Sequence, residues 1–172
     1  MIELAKIAKA CSEDKFSHGH CINTIHINHK QNRVEALNGI VCLMQDFEND
    51  FTDAEYLDRK DLKPVDCEAV FPDLDMIIPQ DYERVSIEQI SFWRKKGEKK
   101  GKYVLFELMN GKTIFFDNKY LKIVTDFIKK KYDFYFTSEN TVAMFKGENG
   151  KTALIMPVRH NVSEMTTYYD KL

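Results

Sequence analysis

The sequence is poor in the residues that mark small cross-linked scaffolds. Its 172 residues include only four cysteines, four prolines and seven glycines. Cys11, Cys21, Cys42 and Cys67 show no close spacing, and three of them fall in apolar surroundings, where cysteine behaves as a small buried hydrophobe. A disulfide framework is therefore not expected. The sequence also lacks an apolar run near the ~18 residues that a bilayer span needs. Its first residues, Met-Ile-Glu-Leu-Ala-Lys, have no basic-then-apolar leader pattern. These absences lead to the expectation of a soluble, cytoplasmic protein with no membrane partner. An excess of one charge is missing too, since the formal net charge is −2. Any basic surface that could meet nucleic acid has to be local.

What is present is a pattern that occurs twice. A helical stretch over residues 2–11 leads, after a polar loop, into strand-like runs at 21–28, 33–37 and 39–47. A second helical stretch over 119–131 leads into runs at 132–137, 141–146 and 151–158. Leu4, Ile7, Ala8 and Cys11 share one face of the first helix, and Leu121, Val124, Phe127 and Ile128 share one face of the second. Asp117 or Asn118 is placed to cap the second helix. Asn38-Gly39 is a tight-turn signal between two strands. The pattern predicts an α+β fold in which two helix-plus-β-meander halves, about 1–47 and 103–159, pair their helices on a curved antiparallel sheet. An irregular connection over 48–102, with one short helix at 53–61 and strand character over Val85–Trp93, joins the halves, and a polar tail covers 160–172. At this length, with a 44% hydrophobic fraction and 12 phenylalanines, one domain can enclose a real core.

Three constellations carry chemistry. The polar faces of both helices hold more lysine than acid: Lys6 and Lys9 on the first, and Lys119, Lys122, Lys129 and Lys130 on or beside the second. Lysines so placed can contact phosphates without reading sequence, although a charged helix face is often simply solvated. The Lys95–Lys102 hairpin tip is basic as well, but it lacks the spacing of a phosphate loop. His18-Gly19-His20-Cys21, with Cys11 upstream, offers zinc-type ligands in no standard zinc spacing. Asp46, Glu48, Asp50, Asp53, Glu55, Asp58, Asp61, Asp73 and Asp75 could supply a metal-assisted hydrolytic site, but their spacing singles out no subset. No metal, cofactor or catalytic residue is therefore assigned.

Several strings resemble the bacterial DNA polymerase III β sliding clamp. Phe115-Phe116-Asp117-Asn118-Lys119-Tyr120-Leu121 is similar to the entry into the second helix of that family's last domain. Ala153-Leu154-Ile155-Met156-Pro157-Val158-Arg159 is similar to the Met-Pro-containing end of that domain. Leu37-Asn38-Gly39 stands where clamps carry a Thr-Asp-Gly motif, and the run from Phe71 to Pro79 resembles the segment closing the middle domain. Clamps have three such domains per chain, and this chain has room for one. The resemblance implies a non-enzymatic protein of DNA replication or repair whose helices face double-stranded DNA. It also implies that Met156, Pro157, Val158 and Arg159 help line a groove for short apolar peptides of replication proteins. A homo-oligomer is consistent with it. The alternatives are a clamp-derived interaction module that does not encircle DNA, and a small metal-dependent hydrolase.

Overall fold

The computed structural model describes residues 1–13, 21–49, 51–78, 80–99, 101–160 and 162–167. The chain opens with a short helix α1 (Leu4–Ile7), prolonged by a 3-10 turn over Ala8–Ala10. Strands β1 (Thr24–Asn28), β2 (Arg33–Leu37), β3 (Val41–Asp46) and β4 (Tyr56–Asp58) follow. A 3-10 turn at Leu74–Met76 precedes β5 (Ile87–Lys95), β6 (Tyr103–Leu108) and β7 (Thr113–Asp117). Helix α2 (Asn118–Ile128) leads into β8 (Tyr132–Tyr135), β9 (Ala143–Gly147) and β10 (Lys151–Ile155). Another 3-10 turn, Val162–Glu164, precedes β11 (Met165–Thr167).

The strands form two antiparallel sheets, one in the order β4-β1-β2-β3-β10-β9-β8 and one in the order β11-β5-β6-β7. The meander after α1 and the meander after α2 join through β3 and β10, with Leu43 opposite Ala153 and Val41 opposite Ile155. Side chains alternate across this seam, as the pleat requires. Val41, Leu43, Ala153 and Ile155 enter the main core together with Ile7, Val124, Phe127, Phe106 and Phe116. Cys42, Met44 and Leu154 point to the other face, where Tyr56, Phe71 and Leu74 cover them. The main core therefore lies between the seven-stranded sheet, both helices and the inner face of the smaller sheet.

The second helix follows its sequence signals closely. The Asp117 carboxylate accepts the Lys119 N–H at 2.8 Å, and Leu121, Val124, Phe127 and Ile128 are all buried. It ends before the expected Lys131 because Lys129 turns to φ +70°, which aims the chain into β8. The first helix is shorter than residues 2–11: it has one α-helical turn, and no side chain caps its start. Ile7 is buried, but Leu4 is only half-buried against the core.

Residues 48–83 are more regular than the sequence suggested, whereas the strand character of Val85–Trp93 is found as β5. The expected helix at 53–61 is a strand, β4, paired antiparallel with β1. Ile25, opposite Leu57, gives that segment a sheet edge to complete, and tertiary pairing overrides a weak helical pattern. The following segment wraps the outer face of the large sheet. There His26 stacks between Tyr56 and Phe71, with ring centroids 5.3 and 4.5 Å away. Beneath it Glu35, 1% exposed, accepts from His26 Nδ1 at 2.9 Å and from the Arg33 guanidinium, whose Nη1 reaches Asp75 at 3.1 Å.

Two further expectations are corrected. Cys21 and Cys67 are paired as a disulfide with Cα atoms 6.3 Å apart, although nothing in their spacing suggested it. The wrapping segment carries Cys67 onto the start of β1, and this contact exists only after folding. The region after Arg159 is not merely a polar tail. Met165 is 4% exposed among Tyr103, Leu105 and Phe115, and β11 pairs with β5. Residues 161 and 168–172 lie outside the described residues, as do Asp50, Pro79 and Lys100.

Candidate functional site

The two helices touch, and ion pairs link their polar residues, Lys9 with Asp126 and Lys129 with Glu3. Lys119, Lys122, Lys129 and Lys130 of the second helix and its end are exposed, as is Lys9 beside the first. The surface is not uniformly cationic. Glu3, at the start of α1, binds Lys6 Nζ at 2.7 Å, Lys151 Nζ at 3.0 Å and Lys129 Nζ at 3.1 Å. These ammonium groups, the Lys6 hydrogen bond foremost, outweigh burial and pull the Glu3 carboxyl down to about 2. Lys9 lies 3.8 Å from Asp126. Lys119 rests over the neighbouring Tyr120 ring at 5.3 Å. Lys122 and Lys130 have no ion pair among the described residues.

The structure thus gathers all six predicted lysines near the helices, but pairs three of them with acids. The sequence reading missed both Glu3 as the central anion and Lys151. Lys151 comes from β10, more than twenty residues after α2 ends. Its side chain is 5% exposed, and its ammonium also donates to the Phe127 carbonyl at 3.0 Å, satisfying one of the carbonyls left open at the end of a helix. Nothing in the local sequence marks it, because the partners come from three separate elements.

A second candidate surface lies at the end of β10. The Met156 N–H donates to the Ile40 carbonyl at 2.9 Å, and the Val158 N–H donates to the Phe115 carbonyl at 2.8 Å. Residues 156–158 therefore cross from the large sheet to the edge of β7. Ile40 follows the Asn38-Gly39 turn, whose Asn38 Oδ1 accepts from the Ile40 and Val41 N–H groups while Gly39 adopts φ +86°. Two strings that are far apart in sequence, Leu37-Asn38-Gly39 and Met156-Pro157-Val158-Arg159, are thereby neighbours. Met156 is 40% exposed and Ile40 37%, so Met156 does not simply finish a strand inside the core. Val158 is half-buried against the smaller sheet, Pro157 is half-buried, and Arg159 is exposed. The clefts of about 540 Å³ and 700 Å³ elsewhere on the molecule are lined by other residues. The Met156 region is an open apolar ledge apart from both.

Three of the acids read as candidate hydrolytic groups accept backbone N–H groups. Asp58 accepts the Lys60 and Asp61 N–H groups, Asp61 accepts that of Lys63, and Asp73 caps the Leu74–Met76 turn. Asp75 pairs with Arg33. Cys11 is buried, and burial pushes its thiol up to about 12, which disfavours the thiolate that ligation or attack requires. His18 and His20 lie outside the described residues. Among the described residues no three His, Cys, Asp or Glu side chains are grouped to hold a metal.

Comparison with solved structures places this geometry. The chain superposes on the DNA polymerase III β subunit of Thermotoga maritima with a TM-score of 0.65 over 92% of its length, at 16% identity. The sliding clamp of Bacillus subtilis gives a TM-score of 0.63 over 92% at 12% identity. The Helicobacter pylori β clamp, solved with a DNA ligase peptide bound, gives 0.61 over 91% at 12% identity. The fold is that of the bacterial sliding clamps. This chain spans about 62% of the length of the Thermotoga maritima clamp chain, 61% of the Bacillus subtilis one and 62% of the Helicobacter pylori one. No family profile and no curated sequence matches it. At these identities the likeness is one of fold alone. No described helix is long and apolar enough to cross a membrane.

Proposed function

We propose that this protein is a non-enzymatic, clamp-like accessory factor of DNA replication or repair, built on a clamp-like fold that takes in residues 1–159 and the strand Met165–Thr167. The observation that carries the reading is the clamp fold over nine-tenths of the chain; on it we assign Lys6, Lys9, Lys119, Lys122, Lys129 and Lys130, on or beside the two touching helices, to one DNA-facing surface. That surface meets the duplex backbone without reading bases, so its affinity is weak and falls steeply with salt. The ledge at Ile40, Met156, Pro157, Val158 and Arg159 receives a short apolar peptide from a replication protein. Methionine adapts to varied apolar partners, and the Arg159 guanidinium can hold a carboxylate or carbonyl. The Helicobacter pylori clamp bound to a DNA ligase peptide is the precedent for such a partner.

Anisotropy titration of a fluorescent duplex tests the first half. Lys122→Glu with Lys130→Glu removes two unpaired cations and should weaken binding on all sequences alike. Indifference to that change, or preference for one sequence, would remove the basis for the reading. Titration of a clamp-binding peptide against wild type and Met156→Lys tests the second half, with loss of binding expected in the variant.

A second reading, an interaction module that does not encircle DNA, is favoured by one observation. Both outer edges of the seven-stranded sheet are covered by the chain itself. On β4 the Asp58 N–H donates to the Lys63 carbonyl and the Val65 N–H to the Tyr56 carbonyl. On β8 the Val85 N–H donates to the Phe134 carbonyl and the Phe136 N–H to the Glu83 carbonyl. Covered edges disfavour continuing the sheet into another subunit. Solution mass separates the two: a homo-oligomer supports ring assembly, and a monomer supports the module.

A further inference from the structure

We propose that Glu3 is a built-in counterion that holds the helical face below its full affinity for phosphate, and so sets how strongly that face binds a nucleic-acid backbone. The inference rests on reading the face as DNA-facing. Three ammonium groups from three elements converge on this one carboxylate: Lys6 from α1, Lys129 from the end of α2 and Lys151 from β10, at 2.7, 3.1 and 3.0 Å. A backbone phosphate offers the same chemistry, an anion with several acceptor oxygens. Glu3 therefore occupies a place where a phosphate would be held, and a duplex must compete with it for Lys6 and Lys129. Lys151 is not part of that competition, since its ammonium is buried and donates to the Phe127 carbonyl.

The position of the carboxylate is built into the sheet. The Glu3 N–H donates to Gln45 Oε1 at 3.0 Å, and Gln45 Nε2 donates to the Met1 carbonyl at 3.3 Å. Gln45 is 1% exposed on β3. The sheet thus anchors the acid while the helices bring two of the lysines. Asp126 is the contrast on the same surface: it is exposed and lies 3.8 Å from a single ammonium, that of Lys9.

Affinity for duplex rises with the number of phosphates a surface neutralises, by a slope of roughly 0.9 per contact in log–log dependence on salt. Releasing Lys6 and Lys129 from Glu3 should steepen that slope by about one to two and tighten binding about three- to tenfold near 0.1 M salt. The test is anisotropy titration of a fluorescent duplex at several salt concentrations, on the full chain. Four proteins are compared: wild type, Glu3→Gln, Asp126→Asn, and Glu3→Gln combined with Lys151→Met. The double variant leaves the net charge unchanged and removes the buried ammonium that the single variant would orphan. It therefore carries the test even if Glu3→Gln alone does not fold. Tighter, more salt-sensitive binding in the double variant, with a smaller gain in Asp126→Asn, supports the inference. A double variant that binds no tighter than a binding wild type overturns it and leaves the DNA reading standing, as does an equal gain in Asp126→Asn. Folded variants that all fail to bind at low salt overturn both.

Discussion

Helices α1 and α2 pack on the same face of the seven-stranded sheet, but they are held there by different means. The second has three turns, an aspartate cap and a continuous apolar stripe, all written within residues 117–128. The first has one α-helical turn and no side-chain cap, and its start is fastened by Glu3 to lysines on two distant elements. The strands that follow differ in the same way. β8 begins within four residues of the end of α2, whereas the approach to β1 is tied through Cys21 to Cys67 on the wrapping segment. A short helix is marginal by its own propensity, so the first region depends on long-range contacts that the second needs less.

The largest effect expected is on the self-contained helix. Phe127 is fully buried at the centre of the core, and Phe127→Ala should cost about 3–5 kcal/mol in denaturant unfolding. A loss below about 1 kcal/mol would mean that α2 is not the main brace. Cys67→Ser breaks the covalent fastening of the first region. It should cost about 2–4 kcal/mol under oxidising conditions and nothing further in the presence of a thiol reductant. Equal stability of wild type with and without reductant would show that the pair contributes nothing.

The ion cluster has a pH signature. The Glu3 carboxyl is lowered from 4.5 to about 2 on folding, so its contribution is fully present above about pH 4.5 and is lost as pH falls towards 2. Glu3→Gln should lower stability at neutral pH by at most about 3 kcal/mol. It should also flatten the acid limb of the stability curve. An acid limb identical to that of wild type would remove Glu3 as the fastening of α1. The smallest effect expected is at the cap of α2, where Asp117→Ala should cost about 0.5–2 kcal/mol. If that loss exceeded the loss from Glu3→Gln, the contrast between a self-sufficient and a dependent helix would have to be reversed.

The candidate site divides along similar lines. Lys122 and Lys130 could be assigned to the helical surface from spacing alone, because the residues that decide their exposure are three or four positions away. The pairing of Lys6 and Lys129 through Glu3 could not, since Glu3 and Lys129 meet only when both helices sit on the sheet. The Met156 ledge was visible as a string but not as a surface. Its neighbour Ile40 arrives through the Asn38-Gly39 turn of another meander.

By itself the sequence determined what local periodicity and turn chemistry can specify: α2 with its cap and buried stripe, the two three-stranded meanders and the turn at Gly39. Those features are signalled by residues near one another in sequence, so they are legible before the chain closes, although packing supplies most of their stability. The tertiary structure alone decided the joining of β3 to β10, the strand at 56–58, the Cys21–Cys67 pair, the return of β11 to β5 and the convergence of three lysines on Glu3. Each of these requires groups tens of residues apart to meet, Lys6 and Glu3 being the one local pair among them. A strand edge, an ammonium or a thiol takes whichever partner the rest of the fold delivers, because its unpaired polar groups need one.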